Sequence, residues 1–280
     1  MKSIKLLLCL MSFLLLTSCE PATESNTAME TNDATASEPA PQRMSAVSPQ
    51  CSLTMGFDAW EPYQYMTVGN TVTGLDVELV RAVAADMQCE LNIVQGSWVE
   101  LLNLLKEGEI DFVLGASITE DRQQFAYFSE PYRQEQFSLF VRAEDAGSDL
   151  TDIKSFVAAG KKLGIVNEYY YGDELAELYA SAEYRPQFVG AIISEMNMAR
   201  LLDEEIDGFL EDSFVAASIL RRKGLDKLIK PHQISLGNND VYVMFSKASV
   251  EEQRVAEFNR GLAAIKANGS YQQIMQRYQD

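Results

Sequence analysis

The chain has 280 residues, 47% of them hydrophobic, and carries 41 acidic against 23 basic residues, for a net charge of −18. So negative a balance argues against nucleic acid as a partner and repels acidic membrane surfaces. The length allows one large domain or two smaller ones.

Residues 1–18 read as a secretory signal peptide: Lys2 and Lys5, then an apolar run, then small residues. The run is too short and too abruptly ended for a spanning helix. Leu16-Thr17-Ser18-Cys19 resembles a bacterial lipobox, which implies cleavage before Cys19 and acylation of that cysteine. Several acyl chains, at about 0.8 kcal/mol per buried CH₂, would hold the protein at a membrane. An ordinary signal with a chance cysteine is the blander alternative. Residues 19–49 are rich in Thr, Ser, Ala, Pro and acids and contain no aromatic residue. They cannot bury enough apolar surface to fold, and are expected to form a disordered tether.

From residue 51 strands and helices alternate. "SLTMGF" (52–57), "ELNIV" (90–94) and "IDFVLGA" (110–116) read as strands. "ELVRAVAADM" (78–87) and "WVELLNLLKEG" (98–108) read as amphipathic helices between them. Gly74 and Asp76 are expected as turn and N-cap of the first helix, and Gly108 as the stop of the second. This βαβαβ order predicts a parallel sheet with helices on its faces. Cys51 and Cys89 each open a strand, so if those strands are parallel neighbours the two thiols lie within bridging reach. Export permits a disulfide there. A second unit repeats the design: strands at 162–166, 185–190 and 206–210, with helices near 172–181 and 193–203. "LLNLLKEGEIDFVLGAS" (101–117) is echoed by "NMARLLDEEIDGFLEDS" (197–213), which favours two similarly built lobes.

Open α/β sheets bind ligands beyond the carboxyl ends of their strands. Arg122 follows the third strand of the first unit, and Asp212 follows the corresponding strand of the second. A cation and an anion at equivalent rims suit a zwitterion. Arg122 would grip a carboxylate with a two-pronged hydrogen bond that lysine cannot copy. Thr119, Glu120 and Asp121 before it look like a helix start, so the acids would point outward while Arg122 points inward. A surface salt bridge for Arg122 and a plain N-cap for Asp212 remain open on spacing alone. Aromatic residues gather in "FDAWEPYQY" (57–65), where Pro62 marks a loop and Trp60 is the expected ligand contact. In "NEYYYGD" (167–173) three adjacent tyrosines cannot all face inward.

These segments together resemble the bacterial extracellular solute-binding proteins of family 3. The most specific part is "GASITEDRQQFAYFSEPY" (115–132), which is similar to that family's Ser-x-Thr-x-x-Arg segment followed by Phe-Ser-x-Pro-Tyr. "GLDVELVRAVA" and the closing "FNRGLAAIKANGSYQQIMQRY" also resemble it. The resemblance implies an α/β, two-lobed, periplasmic-binding-protein-like fold of type II, each lobe a mostly parallel sheet flanked by helices. Residues 51–141 plus 240–280 would form the first lobe and 142–239 the second, closing around an amino acid or similar small polar solute for an ABC transporter permease. It also implies ligand-binding roles: Arg122 on the α-carboxylate with Ser117 and Thr119 nearby, Asp212 on the ammonium, and Trp60 stacking. Where the family has a small carboxylate-binding stretch, this chain has Glu168-Tyr169-Tyr170. Either that grip is lost or a hydroxyl such as that of Tyr169 substitutes. A monomer on the periplasmic or extracellular face is expected.

The chain has one histidine, His232, in the loop-like "KPHQ", and no HExxH, CxxC, GxSxG or phosphate-loop spacing. No metal, cofactor or catalytic residue is therefore expected. The alternatives are a dehydratase-like enzyme on the same scaffold, with a carboxylate such as Glu168 as its acid, or a ligand-sensing partner of a membrane receptor.

Overall fold

Apolar runs that begin at residue 51 place the first strand where the sequence expects it. The computed structural model describes residues 51–278. The signal peptide, Cys19 and the tether lie outside the described residues. The first half runs β1 (Cys51–Phe57), β2 (Tyr65–Met66), β3 (Val72–Thr73), α1 (Leu75–Asp86), β4 (Cys89–Gln95), α2 (Trp98–Glu107), β5 (Phe112–Ala116), α3 (Glu120–Phe125) and β6 (Ala126–Phe128). A long strand, β7 (Arg133–Arg142), leads to α4 (Ile153–Ala158), β8 (Leu163–Val166), α5 (Asp173–Ala180), β9 (Phe188–Ala191), α6 (Ser194–Leu202), β10 (Gly208–Asp212) and α7 (Ser213–Lys223). A longer one, β11 (Ile229–Ser246), leads back to α8 (Glu252–Ala267) and α9 (Ser270–Arg277).

The strands follow the order β4-β1-β5-β11-β7-β10-β8-β9, with β6 also against β11. β4, β1 and β5 are parallel, as are β10, β8 and β9, while β7 and β11 run antiparallel between the two sets. β11 meets β5 and β6 only near its end, from Tyr242 onward, and pairs with β7 from Ile229 to Val241. β7 in turn pairs with β10 through Phe137–Phe140. Two parallel α/β units are thus joined by one antiparallel strand pair. This is the mostly parallel, helix-flanked α/β architecture expected from the sequence.

Each helix buries the face that its periodicity marks. α1 packs Leu79, Val80 and Val83 inward, and α2 packs Leu101, Leu102 and Leu105. Gly108 ends α2 in the left-handed conformation. Cys51 and Cys89 sit side by side in register on β1 and β4 and are joined as a disulfide, with Cα atoms 4.7 Å apart.

Two local expectations are corrected. Asp76 does not cap α1: Gly74 takes the N-cap position, and the Asp76 carboxylate is fully buried against Arg133. His232 is not in a loop. It lies in β11 and is buried, with Nδ1 accepting from the Ile234 N–H and Nε2 at 2.7 Å from the Ser148 hydroxyl. The preceding Pro231 suggested a loop, but a shift in the β7–β11 register follows it, and proline is tolerated at such irregularities.

Candidate functional site

The carboxyl ends of β1, β5 and β8 converge on one cavity of about 30 Å³. Arg122 and Ser117 reach it from the β5–α3 connection, Trp60 from the loop after β1, and Tyr169 and Tyr170 from the loop after β8. Thr119 caps α3: its hydroxyl accepts from the Arg122 N–H at 3.2 Å. Glu120 and Asp121 are exposed, whereas Arg122, one residue further round, is buried. The helix start therefore turns the acids outward and the guanidinium inward.

That guanidinium meets main-chain oxygens. Nη1 donates to the Ser117 carbonyl at 2.9 Å and Nη2 to the Glu168 carbonyl at 2.7 Å. Glu168 has a left-handed backbone (φ 64°), and its carbonyl also accepts from Trp98 Nε1 at 3.1 Å. Its side chain is exposed. Burial draws the pKa of Arg122 down, opposed by the charges of Glu168 and Glu135. A guanidinium stays protonated under such a shift.

The tyrosines divide as three neighbours must. Tyr171 enters the core and accepts the Val166 N–H, while Tyr169 and Tyr170 line the cavity. Trp60 stands edge-on to Tyr169 and donates Nε1 to Glu211 at 3.1 Å. Gly115 lines the same wall at φ +75°, where a side chain would be strained.

Asp212 is buried beside the cavity but does not line it. Its Oδ1 accepts from the N–H groups of Phe214 and Val215 at 2.9 and 3.0 Å, capping α7. Its Oδ2 makes two longer contacts, with the Gln136 N–H at 3.3 Å and the Tyr63 hydroxyl at 3.4 Å. Among the sequence-derived candidates, Arg122, Ser117, Trp60 and Tyr169 share the cavity; Thr119 and Asp212 stand behind it.

Among the cavity residues that escaped the sequence reading, Trp98, Asp58 and Glu135 carry the most chemistry. Trp98 opens α2, and its ring lies 5.4 Å from the Arg122 guanidinium. Asp58 follows β1 directly and is pushed up to about 7 by burial. Glu135 on β7 is pushed up to about 8, by burial first, with Arg133 opposing. A signal for Glu135 was present: along "RQEQF" the odd positions 133, 135 and 137 are buried and the even ones exposed, so two charges occupy the inward face of a strand. Arg133 itself is clamped by Asp76, Nε to Oδ1 at 2.7 Å and Nη2 to Oδ2 at 3.0 Å, with Tyr132 donating to the same carboxylate. The Arg133 guanidinium lies 3.6 Å from the Tyr63 ring centre and 5.4 Å from that of Trp60. It forms the floor on which those aromatic residues rest.

Among known proteins, the chain is 25% identical over 231 residues to the ABC transporter arginine-binding protein 1 of Escherichia coli, a match covering 78% of this chain and 86% of the relative. A stretch of 74 residues, 26% of this chain and 28% of the relative, is 32% identical to the cyclohexadienyl dehydratase of Pseudomonas aeruginosa. Among solved structures, a histidine kinase sensor domain with similarity to periplasmic binding proteins superposes with a TM-score of 0.72 at 20% identity, covering 82% of this chain and 96% of its own. Residues 53–280 match one protein family along nearly the whole described region. The chain belongs to the bacterial extracellular solute-binding proteins, family 3.

Proposed function

We propose that the protein binds an amino acid outside the cytoplasm and delivers it to an ABC transporter permease, with its two lobes closing around the solute. The observation that carries this reading is Arg122. It is a buried guanidinium in a cavity between two lobes, hydrogen-bonded to carbonyl oxygens rather than to a side-chain carboxylate. A ligand carboxylate is the stronger partner for such a fork. The arginine-binding relative supports an amino acid as the solute. Asp212 then takes the ammonium through Oδ2, the oxygen not used in capping α7. Tyr63 covers that oxygen from the opposite lobe, so parting the lobes uncovers it. Trp60 and Tyr169 flank the bound solute, and Ser117 lies beside its carboxylate. Acylation of Cys19 would keep the protein, as a monomer, at the membrane that holds its transporter.

Calorimetric titration with a panel of amino acids tests the reading. One or more should bind tightly to the wild type, and Arg122→Ala should weaken that binding about 100-fold, as for a lost charge-assisted pair. Unchanged affinity in this variant removes Arg122 from the site.

A second reading rests on Glu135. A carboxyl group pushed up to about 8 is protonated at neutral pH and can donate to a leaving group, and a short stretch of the chain is similar to a dehydratase. We favour binding without turnover, because the family match spans the domain and the dehydratase match about a quarter of the chain. Chromatography of the recovered ligand separates the two: intact ligand supports transport, and a dehydrated product supports the enzyme.

A further inference from the structure

We infer that Glu135 receives a second positive charge from the solute, so that the cleft is built for amino acids with a cationic side chain. This rests on the amino acid reading above, with Arg122 engaged by the ligand carboxylate and Asp212 by its ammonium. Two acids that line the cavity, Asp58 and Glu135, then face the remainder of the solute. Among the described residues, the only lysine or arginine lining the cavity is Arg122.

Glu135 is the more telling of the two acids. It is 4% exposed, yet Oε2 has no hydrogen-bond partner among the described residues. Oε1 receives one long contact, from the Ser117 hydroxyl at 3.4 Å. The nearest cation, Arg133 Nη1, is 3.9 Å from Oε2 and belongs to the clamp with Asp76. A buried carboxyl group with an unfilled oxygen is costly, and a neutral side chain offers no charge to favour its ionised form. A guanidinium or ammonium supplies both the donor and the charge.

The exchange involves a proton. The groups around Glu135 are Arg133 on its own strand, Arg122 after β5, Asp76 on α1, Asp212 on β10, and the hydroxyls of Tyr63, Tyr169 and Tyr171. Burial, then the charges of Asp212 and Asp76, push Glu135 up to about 8 against Arg133, so at neutral pH it holds a proton. Pairing with a cation favours the ionised form and releases that proton. The folded, unliganded carboxyl has the higher pKa, so binding of a cationic solute weakens as pH falls below about 8. It follows that affinity rises by up to about tenfold per pH unit between about 6 and 8 and levels off above. An amino acid with a neutral side chain needs no such release.

The test uses the full-length chain and two probes that differ in side-chain charge, L-arginine and L-glutamine. Calorimetry in buffers of different ionisation heat counts the protons released on binding. At about pH 7 the wild type should release about one more proton with arginine than Glu135→Gln does, because a group with a pKa near 8 is then mostly protonated. The variant should also lose the rise of arginine affinity with pH, and at about pH 8 its preference for arginine over glutamine should fall about tenfold or more. Arginine bound by wild type and variant with the same proton count and pH profile overturns the role of Glu135 and leaves the amino acid reading intact. Failure of the wild type to bind any amino acid overturns that reading, and this inference with it.

Discussion

Arg122 and Arg133 are both buried, but only Arg122 lines the cavity. Arg133 is held on both sides by Asp76, whose carboxylate also accepts from Tyr132, so its charge is neutralised within the fold. Arg122 donates to neutral carbonyls, so its charge is directed at the cavity. The difference predicts opposite phenotypes. Arg133→Met leaves the Asp76 carboxylate buried with one hydroxyl partner, which should cost about 3–5 kcal/mol in denaturant unfolding. Adding Asp76→Leu should recover most of that loss, since a buried pair replaced by apolar side chains is often close to neutral. Arg122→Ala should instead change affinity far more than stability. If Arg133→Met unfolds at the wild-type midpoint, the clamp is not holding the first lobe together.

At the scale of elements, the strand–helix alternation was legible because each element buries one face, and burial leaves a period in the sequence. Each of the six expected strands has an observed counterpart within three residues, whereas β2, β3, β6 and the long β7 and β11 were not expected; the Thr119 cap, the Gly108 stop and the neighbouring cysteines stand where their residue types placed them. Tertiary partners were not legible. Asp76 looked like a cap because an acid ahead of an apolar helix usually is one, and nothing local announced an arginine 57 positions further on. The acids Asp58 and Glu135 belong to the cavity because three strand ends and β7 meet there, which is a property of topology rather than of any one segment. The disulfide gives a prediction at this scale. It ties the first residues of β1 and β4 across a separation of 38 residues, so replacing both cysteines by serine should lower stability by about 4 kcal/mol. Asp58 and Trp60 follow the other end of β1, so ligand affinity should be unchanged. A large loss of affinity would show that the sheet edge and the cavity are coupled.

Across the whole molecule, the contacts that close the cavity join residues from opposite lobes. Trp60 donates to Glu211, Trp98 and Arg122 to the Glu168 carbonyl, and Tyr63 to Asp212, with Arg222 paired to Glu61 at 2.6 Å on the rim. The cavity between them, about 30 Å³, is smaller than an amino acid. On the binding reading proposed above, the lobes part to admit the solute and meet again around it. The β7–β11 pair that connects them has register shifts between Pro231 and Asn238, and β11 has another near Tyr242, irregularities at which a strand pair can bend. The chain's two tryptophans, Trp60 and Trp98, both line the cavity and both reach across it, so all of the indole fluorescence arises there. Saturating the protein with a bound amino acid should shift its emission to shorter wavelength as the lobes exclude water from the indoles. Trp60→Phe and Trp98→Phe should each retain part of the shift, because one indole is left to report the same closure. Heat in the calorimeter with no change in either indole would mean that the solute binds without lobe movement, and the hinge between the strand pair would have no part in the function.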